Sequence, residues 1–376
     1  MVKHGASSAS LADGPARGRG AGLNPANRFE RLSLEVLDEH LQLVAEQTER
    51  WGDGRQVRTK VYRDASRTVL NRVDSPDLGF NWTVNPYRGC EHGCIYCYAR
   101  PTHEMLGFSS GLDFETRILA KTDAADILRR ELAGPRWRAE PIVFSGVTDC
   151  YQPVEARLKI TRACLAVLAE ARQPVSIVTK SRLILRDLDL LQDLARSRAI
   201  HVAVSLTTLD NKLAARMEPR AASPSDRLWT VRRLASAGIP VAVMVAPIIP
   251  GLTDTEVPTI LEAAAAAGAR AAGYILLRLP HSNRRLFQEW LERVCPDRAG
   301  RVLSLVRSSR GGELNDTAWQ RRFRGSGPYA DQIRQSFKVF AARHGFGRGL
   351  PALNSDDFHP PAVDRQLPLF GGAARD

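Results

Sequence analysis

Long hydrophobic runs are missing from this chain. No stretch approaches the roughly 18 apolar residues that a membrane span needs, and the longest candidate, Val241–Pro250, is broken by Pro247 and Pro250. The opening MVKHGASSASLADGPARGRG has no apolar core, so it is not expected to act as a secretory leader. The expectation is a cytoplasmic protein without a membrane partner. Cysteine is scarce, with six in 376 residues. Three fall within eight positions, and Cys150, Cys164 and Cys295 stand alone. That distribution excludes a disulfide framework and reads as a metal site in a reducing compartment.

What is present is ordinary in bulk and uneven in detail. Hydrophobic residues make up 44% of the chain and charged residues 25%, as in a soluble globular protein. The net charge is +12. Between Arg284 and Arg348, fourteen Lys and Arg face six Asp and Glu. Clustered arginine attracts polyanions through counterion release, so 284–348 is a candidate nucleic-acid face. A solvated arginine-rich surface is the plainer alternative.

The pattern divides the chain into five stretches. Residues 1–28 are rich in Gly, Ala, Ser and Arg and read as disordered. Residues 29–75 read as a helical extension, with Leu34, Leu37, Leu41 and Val44 at helical spacing. Residues 76–285 read as the core domain. Residues 286–349 form a basic region with interleaved aromatics, ending in a helix over Ala330–His344. Residues 350–376 are Pro-rich and aperiodic, and read as a flexible tail.

Within the core, β-branched apolar stretches recur at 82–86, 141–147, 174–179, 200–206, 240–247 and 273–279. Helical faces lie between most of them: Ile160, Cys164, Val167 and Leu168; Leu188, Leu191 and Leu194; Leu228, Val231 and Leu234. Such alternation means βαβ units and a parallel α/β sheet. Six units suggest an open, partial (β/α)6 barrel of TIM type, with a doubly wound sheet as the alternative. Polar residues gather at the strand ends: Ser145, Thr148, Asp149 and Cys150; Thr179 and Lys180; Ser205 and Thr207; Gly251 and Asp254; Arg278 and His281. In parallel barrels those ends carry the chemistry.

The segment Asn85-Pro-Tyr-Arg-Gly-Cys90-Glu-His-Gly-Cys94-Ile-Tyr-Cys97 spaces its cysteines by three residues, then two. Thiolates suit iron–sulfur clusters and zinc. Iron–sulfur sites ordinarily use four cysteines; three would leave one iron open for another ligand. A zinc site completed by His92 or His103, in a nucleic-acid-associated module without catalysis, is the alternative.

Cys90-x-x-x-Cys94-x-x-Cys97 after a first strand resembles the signature of the radical S-adenosylmethionine (SAM) superfamily. The resemblance implies a [4Fe–4S] cluster on Cys90, Cys94 and Cys97, with SAM on the open iron. It implies reductive cleavage of SAM to a 5′-deoxyadenosyl radical and hydrogen abstraction from a substrate. An electron donor such as flavodoxin or ferredoxin is implied as a partner. Tyr96 would lie beside the adenine. Ser145-Gly146 stands where the family's SAM-amino motif follows the second strand, although its Gly-Gly-Glu is absent. Ile249-Pro-Gly251-Leu-Thr-Asp254 resembles the fifth-strand motif, with Asp in place of Glu. Lys180 and Ser205 stand at ends that contact the SAM carboxylate and ribose in the family.

Asn85–Cys90, Gly146–Pro153 and Val178–Ser181 resemble more specifically the spore photoproduct lyase-like group, which implies DNA repair on a nucleic-acid base. A protein or small-molecule substrate is the alternative. Cys150 is a candidate hydrogen-atom donor facing the barrel mouth, with core packing as its alternative. Gln366-Leu-Pro-Leu-Phe370 resembles the peptide that docks on the bacterial sliding clamp, through apolar anchors on a mobile tail.

Overall fold

Period-two alternation in the β-branched stretches decides the architecture. The computed structural model describes residues 14–29 and 56–363. Its strands in chain order are β1 (Lys60–Arg63), β2 (Leu70–Arg72), β3 (Trp82–Val84), β4 (Tyr87–Arg88), β5 (Arg117–Ala120), β6 (Ile142–Phe144), β7 (Val175–Thr179), β8 (Ile200–Ser205), β9 (Val241–Ile248) and β10 (Ala271–Leu276). One sheet has the order β10-β9-β8-β7-β6-β3-β2. Its six strands from β3 to β10 pair in parallel, and β2 adds an antiparallel edge. These six are the stretches expected from the sequence.

The strand order advances in one direction and never reverses. Right-handed crossovers then place every connecting helix on the same face, and no doubly wound switch point arises. The sheet is an open barrel wall with edges at β10 and β2. On β7, β8 and β9, Val175, Ile177, Val202, Val204, Val241, Val243 and Val245 are buried and form one core with the helix Ile160–Ala171 and its neighbours. The alternate positions, Ser176, Val178, His201, Ala203, Ala242 and Met244, are only half-buried. Four of those six are small or polar, and none is fully covered. At Gly273 a Cβ would stand 2.9 Å from the Met244 sulfur.

Several sequence expectations need correction. Residues 14–28, expected to be disordered, form a strap with Arg19, Ala21, Asn24 and Asn27 buried; residues 1–13 lie outside the described residues. Of the helical extension 29–75, the periodic stretch around Leu34–Val44 lies outside the described residues, and residues 60–72 form strands β1 and β2 rather than helix. β1 joins β5 and β4 in a small second sheet. Its strands are two to four residues long, too short for a periodicity argument.

The expected boundary at 285/286 cuts through a helix, Asn283–Val294. That helix and the next, Pro296–Ser308, share a second core with the Cys94–Tyr96 stretch through Leu286, Phe287, Trp290, Val302 and Val306. The C-terminal region is therefore part of the barrel's mouth. Buried Arg310 fastens it there, donating to the carbonyls of Leu276 and Leu277 at 2.9 Å and of Arg321 and Arg322 at 3.2 and 3.0 Å. A final helix, Pro328–Arg343, matches the expected Ala330–His344.

The tail expected to be flexible is docked as far as it is described. Asn354 N–H donates to the Arg198 carbonyl at 3.0 Å, Ser355 Oγ to Ala139 at 2.8 Å and His359 N–H to Ala171 at 3.0 Å. These carbonyls precede β8, β6 and β7, so 350–363 crosses the N-terminal strand ends. Gln366–Phe370 lies outside the described residues.

Replacing Asn354 with Ala removes its Nδ2 bonds to Ser197 O (3.3 Å) and Asp357 (2.8 Å), and its acceptance from Asp356 N–H (3.0 Å). The expected result is a loss of about 1 kcal/mol in urea unfolding; an unchanged midpoint would show the tail to be undocked.

Candidate active site

A loop carrying three thiols must be held by something other than regular structure. Here the holder is Arg100, which is fully buried. Its guanidinium donates to the carbonyls of Cys94 (3.0 Å), Gly93 (3.3 Å), Ser110 (3.2 Å) and Gly111 (3.0 Å), and to Glu115 at 2.5 Å. Five donors in one rigid plane allow this. Glu115, also fully buried, accepts further bonds from Gly20 N–H (3.0 Å) and Ala21 N–H (2.9 Å). The strap is thereby laid directly on the loop: a Cβ at Gly20 would lie 2.0 Å from Gly93 O. The loop's own ends are fixed by Cys90 N–H to Phe114 O (2.9 Å) and Ile95 N–H to Met217 O (3.0 Å).

Cys90 and Cys94 are each 7% exposed, and Cys97 is more open. Burial pushes both buried thiols up, and Asp149 adds to this at Cys90, while Lys180 opposes it at Cys94. Ionised sulfur there needs a bound cation. Among the described residues, no three His, Cys, Asp or Glu side chains converge closely enough to hold a single metal ion. His92 is engaged by Asp149, with Nδ1 3.3 Å from Oδ2. His103 is buried between Phe108 and Phe114, at centroid distances of 5.2 and 5.6 Å. Both histidines that the zinc alternative would use are thus already in contact with other groups.

Asp149, at the end of β6, ties this loop to the next strand. It accepts from Thr179 Oγ1 (2.8 Å), Lys180 N–H (2.7 Å) and Tyr151 N–H (2.9 Å). Burial raises its carboxyl, but His92 and the two backbone N–H groups outweigh that and hold it at about 2. The Lys180 ammonium stands 5.8 Å from the Tyr96 ring centroid and makes no ion pair among the described residues. The Tyr96 hydroxyl bonds Glu218 and lies 3.1 Å from Thr207 Oγ1. Glu218 is paired with buried Arg227, whose Nη1 donates to Ser205 O at 3.2 Å. Tyr96, Lys180 and Ser205 are therefore gathered at adjacent strand ends. Glu218, just after the helix Asn211–Met217, and Arg227, in the helix Pro224–Ser236, fix Tyr96 and Ser205, and neither was singled out from the sequence.

Other expected residues fall elsewhere. Ser145 adopts a left-handed backbone (φ 74°) and its Oγ accepts from Cys150 N–H at 2.9 Å, closing its own turn. Gly146 packs on Thr83, and its carbonyl accepts from the Tyr98 hydroxyl. Gly251 (φ 76°) lies against the second C-terminal helix, 2.9 Å from Leu305 Cδ1 at its Cβ position, so its place is a packing one. Cys150 does not face the mouth. It is fully buried in the main core, its carbonyl accepts from Thr161 Oγ1 at 2.6 Å, and burial pushes its thiol well up. The expected hydrogen-donor role has no access there.

Beside the loop opens a cavity of about 650 Å³ lined by Glu91 and by Arg17, Arg19, Arg58, Arg157 and Arg220.

The radical SAM superfamily model matches residues 84–264, the stretch that runs from β3 to the helix after β9. An uncharacterised protein of Mycobacterium tuberculosis is 40% identical over 244 residues, which are 64% of this chain and 72% of that one. The chain belongs to the radical SAM superfamily. An uncharacterised protein of Methanocaldococcus jannaschii is 30% identical over 197 residues, 52% of this chain and 71% of its own. Among solved structures, spore photoproduct lyase complexed with dinucleoside spore photoproduct has a TM-score of 0.54 at 14% identity, covering 82% of this chain and 91% of that one. A mutant of the same enzyme with bound AdoMet and dinucleoside spore photoproduct also has a TM-score of 0.54, over 76% and 78%. That likeness is one of fold. As a member of the superfamily the protein is a radical SAM enzyme, whose cofactors are a [4Fe–4S] cluster and SAM.

Burial holds His103 neutral, down at about 4, against 6.5 when free. Unfolding therefore takes up a proton once the pH falls below about 6.5, and stability is lost as pH drops from there toward 4. Replacing His103 with Phe is expected to remove this slope, about 3 kcal/mol across the window, from urea-unfolding curves measured against pH. An unchanged slope would show the ring to be protonated in the fold.

Proposed function

We propose that Cys90, Cys94 and Cys97 hold the [4Fe–4S] cluster and that the enzyme takes hydrogen from a nucleobase. The observation that carries the first part is the thiol loop itself, buried and clamped by Arg100 at the C-terminal mouth of an open six-stranded barrel. The three thiols fit this cluster because they are soft, adjacent and poor in other partners. When bound, it supplies the electron that cleaves SAM to methionine and a 5′-deoxyadenosyl radical.

The chain's own residues do the rest. Lys180, an ammonium with no carboxylate paired to it among the described residues, receives the SAM carboxylate. The Tyr96 ring, locked through its hydroxyl by Glu218 and Thr207, flanks the adenine. Ser205, whose carbonyl is held by Arg227, lines the approach. The half-buried inner face of β7 to β9 leaves room for substrate. An acidic one-electron carrier of flavodoxin or ferredoxin type supplies the reductant. The arginine-lined cavity beside Glu91 offers it opposite charge.

The nucleobase reading rests on the arginine-rich region at the mouth, together with the likeness to a lyase whose structure holds a dinucleoside lesion. Arginine on such a rim binds phosphate.

Anaerobic reconstitution with iron and sulfide, then SAM and dithionite, is expected to give 5′-deoxyadenosine from the wild type and none from Cys94→Ala. A fully iron-loaded wild type that forms no 5′-deoxyadenosine would overturn the proposal.

A further inference from the structure

Directly after Cys97 the chain places an aromatic side chain that faces solvent. Tyr98 is 44% exposed, although its hydroxyl is bonded to Gly146 O. The Arg278 guanidinium, beyond the end of β10, lies 4.5 Å from the Tyr98 ring centroid and 5.2 Å from that of Phe323. Arg322 lies 4.5 Å from Phe323 and 4.7 Å from Trp319. Three rings and two guanidinium groups thus alternate in one column, from Tyr98 beside the thiol loop to Trp319, which is 53% exposed.

The column is held rigid. Arg322 Nε donates to Asp77 at 2.7 Å, its Nη2 to Ser75 Oγ at 2.5 Å, and Gln320 N–H reaches Asp77 at 3.2 Å. Arg322 is thus fixed between the Phe323 and Trp319 rings. Arg321 and Arg324, on either side of the column's Arg322 and Phe323 in sequence, are exposed, Arg321 pairing with Asp316 at 3.2 Å and Arg324 donating to Tyr274 O at 3.1 Å.

We infer that this column is a stacking platform for unpaired nucleobases. It rests on the nucleic-acid reading above and names the surface and the state of the substrate. Alternating aromatic faces and guanidinium planes bind flat π systems of any sequence. Flanking exposed arginines meet phosphates. A base paired inside a duplex has no free face to offer, so the platform takes single-stranded or flipped-out nucleotides. Its position next to Cys97 would hold such a base at the barrel mouth. Three rings on the chain's own backbone are also what a simple brace for the 309–324 loop would use, and the experiment separates the two roles.

Binding of a fluorescein-labelled single-stranded oligonucleotide to the full chain is measured by anisotropy at low salt, beside a hairpin duplex of the same length. The wild type is expected to bind the single strand more tightly. Trp319→Ala should weaken that binding about tenfold, in line with the loss of one stacked base, without changing the salt slope. Trp319→Phe should restore most of it. Trp319 is exposed, so Ala is tolerated by the fold; equal thermal midpoints check this. If the wild type binds and Trp319→Ala and Trp319→Phe bind equally well, the platform is overturned and the nucleic-acid reading stands. If the wild type binds neither oligonucleotide, both are overturned together.

Discussion

A buried guanidinium with one carboxylate partner organises this protein. Arg100 and Glu115 are both without exposed surface, and between them they satisfy three segments distant in sequence: the thiol loop, the turn at Ser110–Gly111 and the strap at Gly20–Ala21. Breaking such a pair from one side costs about 3–5 kcal/mol, because the remaining charge stays buried. The arrangement turns a flexible eight-residue loop into a fixed one. Three thiols can then meet an inorganic cluster without the chain having to fold around it. Asn283, which donates to Cys97 O at 2.7 Å, fastens the first C-terminal helix to that loop.

The open sheet supplies the space that the loop faces. Most of the valines point outward into the helices, while Ser176, Val178, His201, Ala203, Ala242 and Met244 occupy the inner positions. A barrel filled from within, as closed eight-stranded barrels are, would leave no room for a nucleotide-sized cofactor and a substrate together. The bottom is closed instead by the tail, whose residues 350–363 lie across the N-terminal strand ends. Polar groups at the opposite ends are crosslinked from strand to strand: Asp149 from β6 to Lys180 after β7, and Glu218 with Arg227 to Ser205 on β8. The site is thus preorganised by hydrogen bonds that run around the mouth.

Much of this was legible in the residues. Six β-branched stretches with helical faces between them became six parallel strands within a few residues of their expected bounds, because a strand buried on one face must alternate. The thiol spacing and the aromatic at 96 marked the loop. What escaped reading was held by side chains acting at long range. Arg17-Gly-Arg-Gly-Ala-Gly looks like a disordered tail by composition, yet its glycines are needed where Gly20 meets Gly93; glycine at every second position signals close backbone approach as well as disorder. The C-terminal helices were separated from the core because periodicity shows which face is apolar and says nothing of its partner. Cys150 was placed at the mouth from its position after a strand, but the turn at Ser145 directs it into the core.

The central claim is that three cysteines hold a four-iron cluster with one iron open. Electron paramagnetic resonance of the anaerobically reconstituted, dithionite-reduced protein tests it most directly. The account predicts a signal from the reduced cluster that shifts on adding SAM and disappears in Cys94→Ala. A signal indifferent to SAM, or a chain that binds stoichiometric zinc and gives no signal, would contradict it.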